Sequence, residues 1–317
     1  MRRTLAPGRG SARYRARGVA LLIALLIVAV LASASAWLGW QQTLAVRRTE
    51  DLLAGDQAWA LALGGEAVAA QGLADSLRGA DTVNLTQAWA RPRQGRIGGE
   101  ARIAGAITDL QGLFNLNDLA AAAPNSAIMR FRFQRLLTQA GANPGLVDAV
   151  ADWINPVPVA SGAMGAGDTY YLGLQPPYRT GAAPFVSPSS LRLVRGFGEP
   201  LYRQLAPLLG ALPQVTAINV NTAPAPVLQA IGLTPQQARA ILALRARTPF
   251  TSVAQFLASP ALGGTDLDPS GLDVGSRFFL SSIEVLAGRV RTRLDSVLEW
   301  DGGDRVRVLL RARNATP

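Results

Sequence analysis

Arg17-Gly18-Val19-Ala20-Leu21-Leu22-Ile23-Ala24-Leu25-Leu26-Ile27-Val28-Ala29-Val30-Leu31 joins a basic leader to an unbroken apolar run. The run continues through Ala32, Ser33, Ala34, Ser35 and Ala36 to Trp37 and Trp40. About 22 residues of helix are roughly 33 Å long, enough to cross a bilayer. Arg2, Arg3, Arg9, Arg13, Arg15 and Arg17 precede the run with no acid among them, whereas Arg47 and Arg48 beyond it are offset by Glu50 and Asp51. This bias predicts a cytoplasmic leader, with everything after Trp40 outside the cytoplasm.

Three readings fit this start. Ala34-Ser35-Ala36 would serve a signal peptidase as a small-x-small cleavage site. A plain single-span anchor needs only the length. A prepilin-type signal is cut on the cytoplasmic side of the run, after Gly18, leaving the run as the mature N-terminus. Helical character continues past Trp40: residues 41–78 are rich in Ala, Leu, Gln and Glu, contain no proline, and place Leu52, Trp59, Leu63, Val68 and Leu73 near helical spacing. Gly55, Gly64, Gly65 and Gly72 weaken this helix, whose end is expected near residue 78.

The chain has 317 residues and a formal charge of +10. Without the six leader arginines, 25 basic residues face 21 acids, a balance of +4, too mild to mark a nucleic-acid protein. The chain has no His, no Cys and no Lys. Imidazole bases and ligands, thiol chemistry, disulfides, Schiff bases and a phosphate-loop lysine are thereby excluded. The scattered acids show no pairing suited to carboxylate catalysis, and no enzyme is expected.

Residues 101–108 read as a strand whose partner lies far along the chain. Near the C-terminus Val290, Thr292, Leu294, Leu298 and Trp300 alternate with charged residues, as do Val306, Val308 and Leu310, and Asp301-Gly302-Gly303-Asp304 between them suits a hairpin turn. Residues 282–286 are a further strand. Helices are predicted over 129–140, over 144–153 with Asn143 as cap and Pro144 at the first helical position, and over 191–196, 200–209, 224–231, 235–246 and 253–257. Residues 155–190, dense in Pro, Gly, Ala and Ser, read as a long loop.

Five stretches carry a family resemblance: Arg17-Gly18-Val19-Ala20-Leu21-Leu22, Ile107-Thr108-Asp109-Leu110-Gln111-Gly112-Leu113-Phe114-Asn115-Leu116-Asn117, Asp152-Trp153-Ile154, Leu191-Arg192-Leu193-Val194-Arg195-Gly196 and Ile218-Asn219-Val220-Asn221-Thr222-Ala223. In this order the chain resembles the minor pseudopilin K family of type II secretion systems. The resemblance implies an α+β fold: a pilin-like long N-terminal helix packed on an antiparallel sheet, with a large helical domain, SAM-like or helix-hairpin-helix-like, inserted between strands. The expected division is a leader over 1–18, a transmembrane helix over 19–40, its soluble continuation over 41–78, a pilin-like domain from 79–114 and 276–317, and an insert over 115–275 with a helix-hairpin-helix-like part at about 216–258.

It further implies cleavage by prepilin peptidase between Gly18 and Val19, methylation of the Val19 amine, and a place at the pseudopilus tip in the inner membrane, with minor pseudopilins I and J, H and the major pseudopilin G as partners. Ile23 stands where pilins usually carry a glutamate that pairs with a neighbour's terminal amine. A subunit with nothing above it has no such amine to meet, and an unpaired carboxylate in lipid is costly. Family members also bind calcium in the loop after Asp-Trp. Asp152, Asn155 and Asp168 would be the ligands here, but Asn155, Val157 and Gly167 stand at positions that usually carry acids, so the set is depleted. Residues 218–257 also resemble the helix-hairpin-helix modules of membrane-anchored DNA-uptake receptors, with Ile231-Gly232-Leu233-Thr234 as hairpin and Arg239, Arg245 and Arg247 as charge.

Overall fold

The computed structural model describes residues 11–98, 101–157 and 159–315, without the side chains of 11–18. Helix α1 spans Ser11–Leu77, uninterrupted by its glycines, and the chain leaves it through Gly79 at φ 68°. The chain forms two units, one through Asp56 and one from Gln57 onward. In the first, the apolar side chains from Val19 to Leu31 are exposed, and the helix from Val19 onward is long and apolar enough to cross a membrane.

In the second unit, the remainder of α1 lies against a five-stranded antiparallel sheet. The chain enters the sheet through β1 (Arg93–Ile97) and β2 (Ala101–Asp109). An insert follows: β3 (Phe114–Asn115), α2 (Ser126–Gln139), α3 (Leu146–Ile154), α4 (Asp168–Leu172), α5 (Glu199–Leu205), β4 (Leu209–Gly210), β5 (Ile218–Asn219), α6 (Ala225–Ala230), α7 (Pro235–Arg245), α8 (Val253–Leu257) and β6 (Leu272–Asp273). The chain then returns through β7 (Phe278–Ala287), β8 (Val290–Trp300) and β9 (Val306–Arg313). Sheet order is β1-β2-β7-β8-β9, so β2 pairs across the whole insert with β7, Asp109 standing opposite Phe279.

Local chemistry explains these elements. The two-residue turn between β7 and β8 needs a left-handed residue, and Gly288 supplies it at φ 57°. In the β8–β9 turn Asp301 Oδ1 accepts the Gly303 N–H at 2.8 Å. Ala58 and Ala62 of α1 are small enough for the helix to sit close on Ile283, Val285 and Leu294, and farther along Leu73 and Leu77 meet Val83, Trp89, Phe279 and Leu298. Gly65 is needed here, because a Cβ would stand 2.9 Å from side-chain carbons of both Ile103 and Ile283. The insert buries a core of its own, in which Phe114 stacks on Phe133 with centroids 5.1 Å apart.

Three predicted elements differ. Asn143 does not cap α3 directly: its Oδ1 accepts the Gly145 N–H at 2.8 Å, forming a turn ahead of a helix that begins at Leu146. The helix expected over 191–196 is a 3₁₀ helix, Pro188–Leu193, started by Ser187 and Pro188. The long loop contains α4, whose five residues are too few to produce a periodic signal.

Candidate functional site

Two of the sequence motifs meet in a buried joint. Asp109, the last residue of β2, is 3 % exposed. Its Oδ1 accepts the Gln111 N–H at 2.8 Å, and its Oδ2 accepts Thr222 Oγ1 at 2.6 Å, Ser276 Oγ at 2.6 Å and Asn219 Nδ2 at 3.0 Å. Burial pushes this carboxyl above the usual range, against the pull of those hydrogen bonds. Asn219 Nδ2 also donates to Val83 O at 2.9 Å, while Asn221 exchanges two hydrogen bonds with the backbone of Phe250. Gly112 closes the joint, since a Cβ there would stand 2.6 Å from Thr222 Oγ1. These polar groups are spent on one another and hold the root of the insert.

A second joint lies beside it. Asn117 Nδ2 donates to Phe185 O and Leu212 O at 2.9 and 2.8 Å. Asp118 Oδ1 accepts Asn115 Nδ2 at 2.7 Å and Thr216 N–H at 3.1 Å, while its buried Oδ2 has no partner. Burial pushes the Asp118 carboxyl up to about 7. Asp118 carried no functional expectation, and no one-dimensional signal marks it.

The three expected calcium ligands are occupied by the loop itself. Asp152, in the last turn of α3, accepts Ser161 Oγ at 2.6 Å on Oδ1 and the N–H groups of Ser161 and Ala166, both at 2.9 Å, on Oδ2. Asn155 Oδ1 accepts the Val157 N–H at 3.0 Å. Asp168, opening α4, accepts the Thr180 N–H at 3.0 Å and its hydroxyl at 2.9 Å, with Arg179 at 3.3 Å. The Thr180 hydrogen bonds, and then the charge of Arg179, hold the Asp168 carboxyl below the usual range. Among the described residues no group of three or more acids that could hold a metal ion is assembled. Donors already aimed at these oxygens, and a guanidinium on one of them, fit a hydrogen-bonded loop better than a cation.

The helix-hairpin-helix-like part is equally self-contained. Gly232 takes φ 128° between α6 and α7, but its N–H donates to Gln229 O, that of Leu233 to Leu228 O, and that of Thr234 to Gln237 Oε1. A phosphate would find these amides engaged. Arg245 is buried with Nη1 2.6 Å from Val220 O, leaving Arg239 and Arg247 as the exposed cations of the three. The hairpin amides and Arg245 Nη1 are thus spent on contacts within the fold.

At the other end, Gly18 and Val19 lie within α1, and Val19 and Ile23 are exposed; leader residues 1–10 lie outside the described residues. A membrane-length apolar helix that continues onto an antiparallel sheet, with motif residues spent on internal joints, is the build of a pilin-like structural subunit.

Comparison with known proteins makes the assignment specific. Two family models, both described as type II secretion system protein K, match residues 112–214 and 218–275. Protein K of Pseudomonas aeruginosa is 37% identical over 308 residues, covering 93% of this chain and 92% of the relative. That of Klebsiella pneumoniae is 35% identical over 312 residues, covering 91% and 94%. The crystal structure of the GspK-GspI-GspJ complex from enterotoxigenic Escherichia coli includes a chain that aligns with a TM-score of 0.76 at 25% identity, over 85% of this chain and 100% of that one. The chain belongs to the type II secretion system protein K family and has the role of a minor pseudopilin, a structural component of the secretion pseudopilus.

Proposed function

We propose that this subunit caps the tip of the type II secretion pseudopilus and helps initiate the filament that exports folded proteins across the outer membrane. Prepilin peptidase cuts between Gly18 and Val19, and the new Val19 amine is methylated. The apolar part of α1 then anchors the protein in the inner membrane, N-terminus cytoplasmic and body periplasmic. Its partners are the minor pseudopilins I and J, by analogy with the Escherichia coli complex, and beyond them H and the major pseudopilin G. Ile23, an apolar residue where a shaft subunit needs a carboxylate, suits a position with no neighbour above.

What supports this reading is the continuity of α1 from before the Gly18–Val19 junction to Leu77. Removal of the leader leaves an intact apolar helix attached to the sheet, whereas cleavage after Ala36 would discard the anchor. N-terminal sequencing of the mature protein tests it: a methylated Val19 is expected, and a chain starting at Trp37 overturns the reading. We also take the loop after α3 to be held by its own hydrogen bonds, without calcium, because its acidic oxygens already have donors.

A further inference from the structure

Arg245 ends α7 with its guanidinium inside the protein, the residue being 6 % exposed. A guanidinium carries a full charge and five N–H donors. Nη1 donates to Val220 O at 2.6 Å, and among the described residues no carboxylate pairs with it. Val220 O and the carbonyl end of α7 offer only partial negative charge. Burial therefore pushes the group down to about 10, with no acid to offset it. The second buried arginine, Arg132, is better placed: its Nη2 donates to Asp268 O at 2.9 Å, and the Asp268 charge favours its cation.

Arg245 lines a crevice of about 350 Å³ between α7 and the connector that leads from α1 to β1. None of its nitrogens is both sealed from solvent and without an acceptor, so the donors it leaves unused open on that space. Leu242, one turn earlier on α7, and Ala246 share its wall, while Leu85, Thr86 and Arg91 stand opposite. Among the described residues no acid lines the crevice. Arg91 is exposed and likewise has no carboxylate partner among them. The connector is held in shape before anything binds. Asn84 Oδ1 accepts the Thr86 N–H at 3.1 Å and its hydroxyl at 2.7 Å, and Gln87 Oε1 accepts the Asn84 N–H at 2.9 Å.

We propose that the crevice binds a carboxylate carried on a short apolar stem, whether a free branched-chain acid or the C-terminal residue of a protein. Two guanidiniums with no acid between them call for an anion, and the planar fork of arginine matches the two oxygens of a carboxylate. Leu85, Leu242 and Ala246 call for hydrocarbon beside that anion, which inorganic phosphate and sulfate lack. At about 350 Å³ the space lies at the small end of ligand pockets and suits an acid the size of a single amino acid. A bound carboxylate supplies the counter-charge that Arg245 lacks, and its stem covers Leu85, which is 51 % exposed. The site does not depend on the pseudopilin reading, and it involves neither the hairpin amides nor the membrane helix.

The test uses the full chain in detergent, with isovalerate and the peptide acetyl-Ala-Ala-Leu as probes. At about 20 mM, a probe with a Kd of about 1 mM should raise the Tm by about 2 °C or more. At least one of the two should do so, whereas isovaleramide and the amidated peptide should not. Arg91→Gln, a change at the surface, should leave the Tm of the free protein unaltered and weaken binding by about tenfold. Arg245→Met should abolish binding, and if that variant misfolds Arg91→Gln decides the matter. Arg239→Gln, at an exposed arginine of α7 outside the crevice, is the control and should bind like the wild type. A response to isovalerate alone assigns a free acid, one to the peptide alone assigns a protein C-terminus, and a response to both supports the shared chemistry. No response to either probe, an equal response to the neutral amides, or unchanged binding in Arg91→Gln overturns the proposal. Inorganic phosphate binding as tightly as the acids would also overturn it, in favour of a general anion site.

Discussion

Asn219 Nδ2 donates to Asp109 Oδ2 at 3.0 Å, joining residues 110 positions apart. Asp109 ends the strand where the insert leaves the sheet, and Ser276, on the same carboxylate, stands two residues before the strand where the chain returns. Asn219 and Thr222 come from the middle of the insert. One carboxylate thus latches the exit, the re-entry and the body of the insert together. In a minor pseudopilin, such a latch keeps a bulky insert from swinging on its two connections.

Replacing Asp109 by Ala strips the acceptor from four donors in a buried site. Each donor left without a partner costs about 1–3 kcal/mol, partly relieved by relaxation, so a total loss of about 3 kcal/mol or more is expected. Asp109→Asn should cost less, since the Thr222 and Ser276 hydroxyls can rotate to meet an amide. Urea unfolding of the three proteins measures the order; an alanine variant as stable as the wild type would show that the latch does not hold the insert.

Asp118 gives the fold a pH dependence. With its carboxyl pushed up to about 7 by burial, the folded protein holds a proton between about pH 4 and 7 that the unfolded chain has lost. Stability therefore falls as the pH rises through that window. Asp118→Asn mimics the protonated shape and should flatten the dependence, gaining about 2–4 kcal/mol on the wild type between pH 4.5 and 7.5. Parallel stability curves for the two proteins would show that Asp118 is ionised throughout.

Glu66 acts with the opposite sign. It is a buried acid on α1, bound by Arg311 at 2.7 Å and by the Ser296 hydroxyl. Burial alone would raise its carboxyl, but hydrogen bonds from Arg311 and Ser296 and the charge of Arg311 bring it below the usual range. Its contribution is present above the ordinary carboxylate range and disappears as the pH falls through the lowered value. Glu66→Ala should cost about 2 kcal/mol at neutral pH by leaving Ser296 unpartnered and the helix unclamped from β8 and β9. Arg311→Met should cost less, because the half-exposed guanidinium is partly screened. Equal losses in the two variants would mean that packing, not the pairing, sets the effect.

Strands with one buried face were legible in the sequence, and so was α1. Val290 to Trp300 and Val306 to Arg311 alternate because one side of the sheet is covered, and α1 is long and free of proline. The strand Arg93–Ile97 was missed because all five of its residues are exposed, so no alternation marks it. Asp109 and Asn219 could be picked out as motif residues, but their meeting depends on a chain path that periodicity does not encode. The loop acids were legible as a cluster in sequence, whereas the backbone amides of Ser161, Ala166 and Thr180 that meet them carry no letter.

That loop supplies the last prediction. A Cβ on Gly165 would stand 1.9 Å from Ser161 O and 2.4 Å from Asp152 Oδ2, so Gly165→Ala cannot keep the turn that presents Ser161 and Ala166 to Asp152. Gly165→Ala and Asp152→Ala should therefore share one signature: faster proteolysis between residues 155 and 186 and a loss of about 2 kcal/mol, or roughly 4–8 °C in Tm. If hydrogen bonds alone hold the loop, 1 mM calcium neither rescues the variants nor moves the wild-type Tm. An ion bound with a Kd near 10 μM would add about 2.7 kcal/mol at that concentration, a shift well within reach of a melting experiment. A calcium-dependent rise in the wild type that is lost in Asp152→Ala would replace the hydrogen-bonded loop with a metal-bound one.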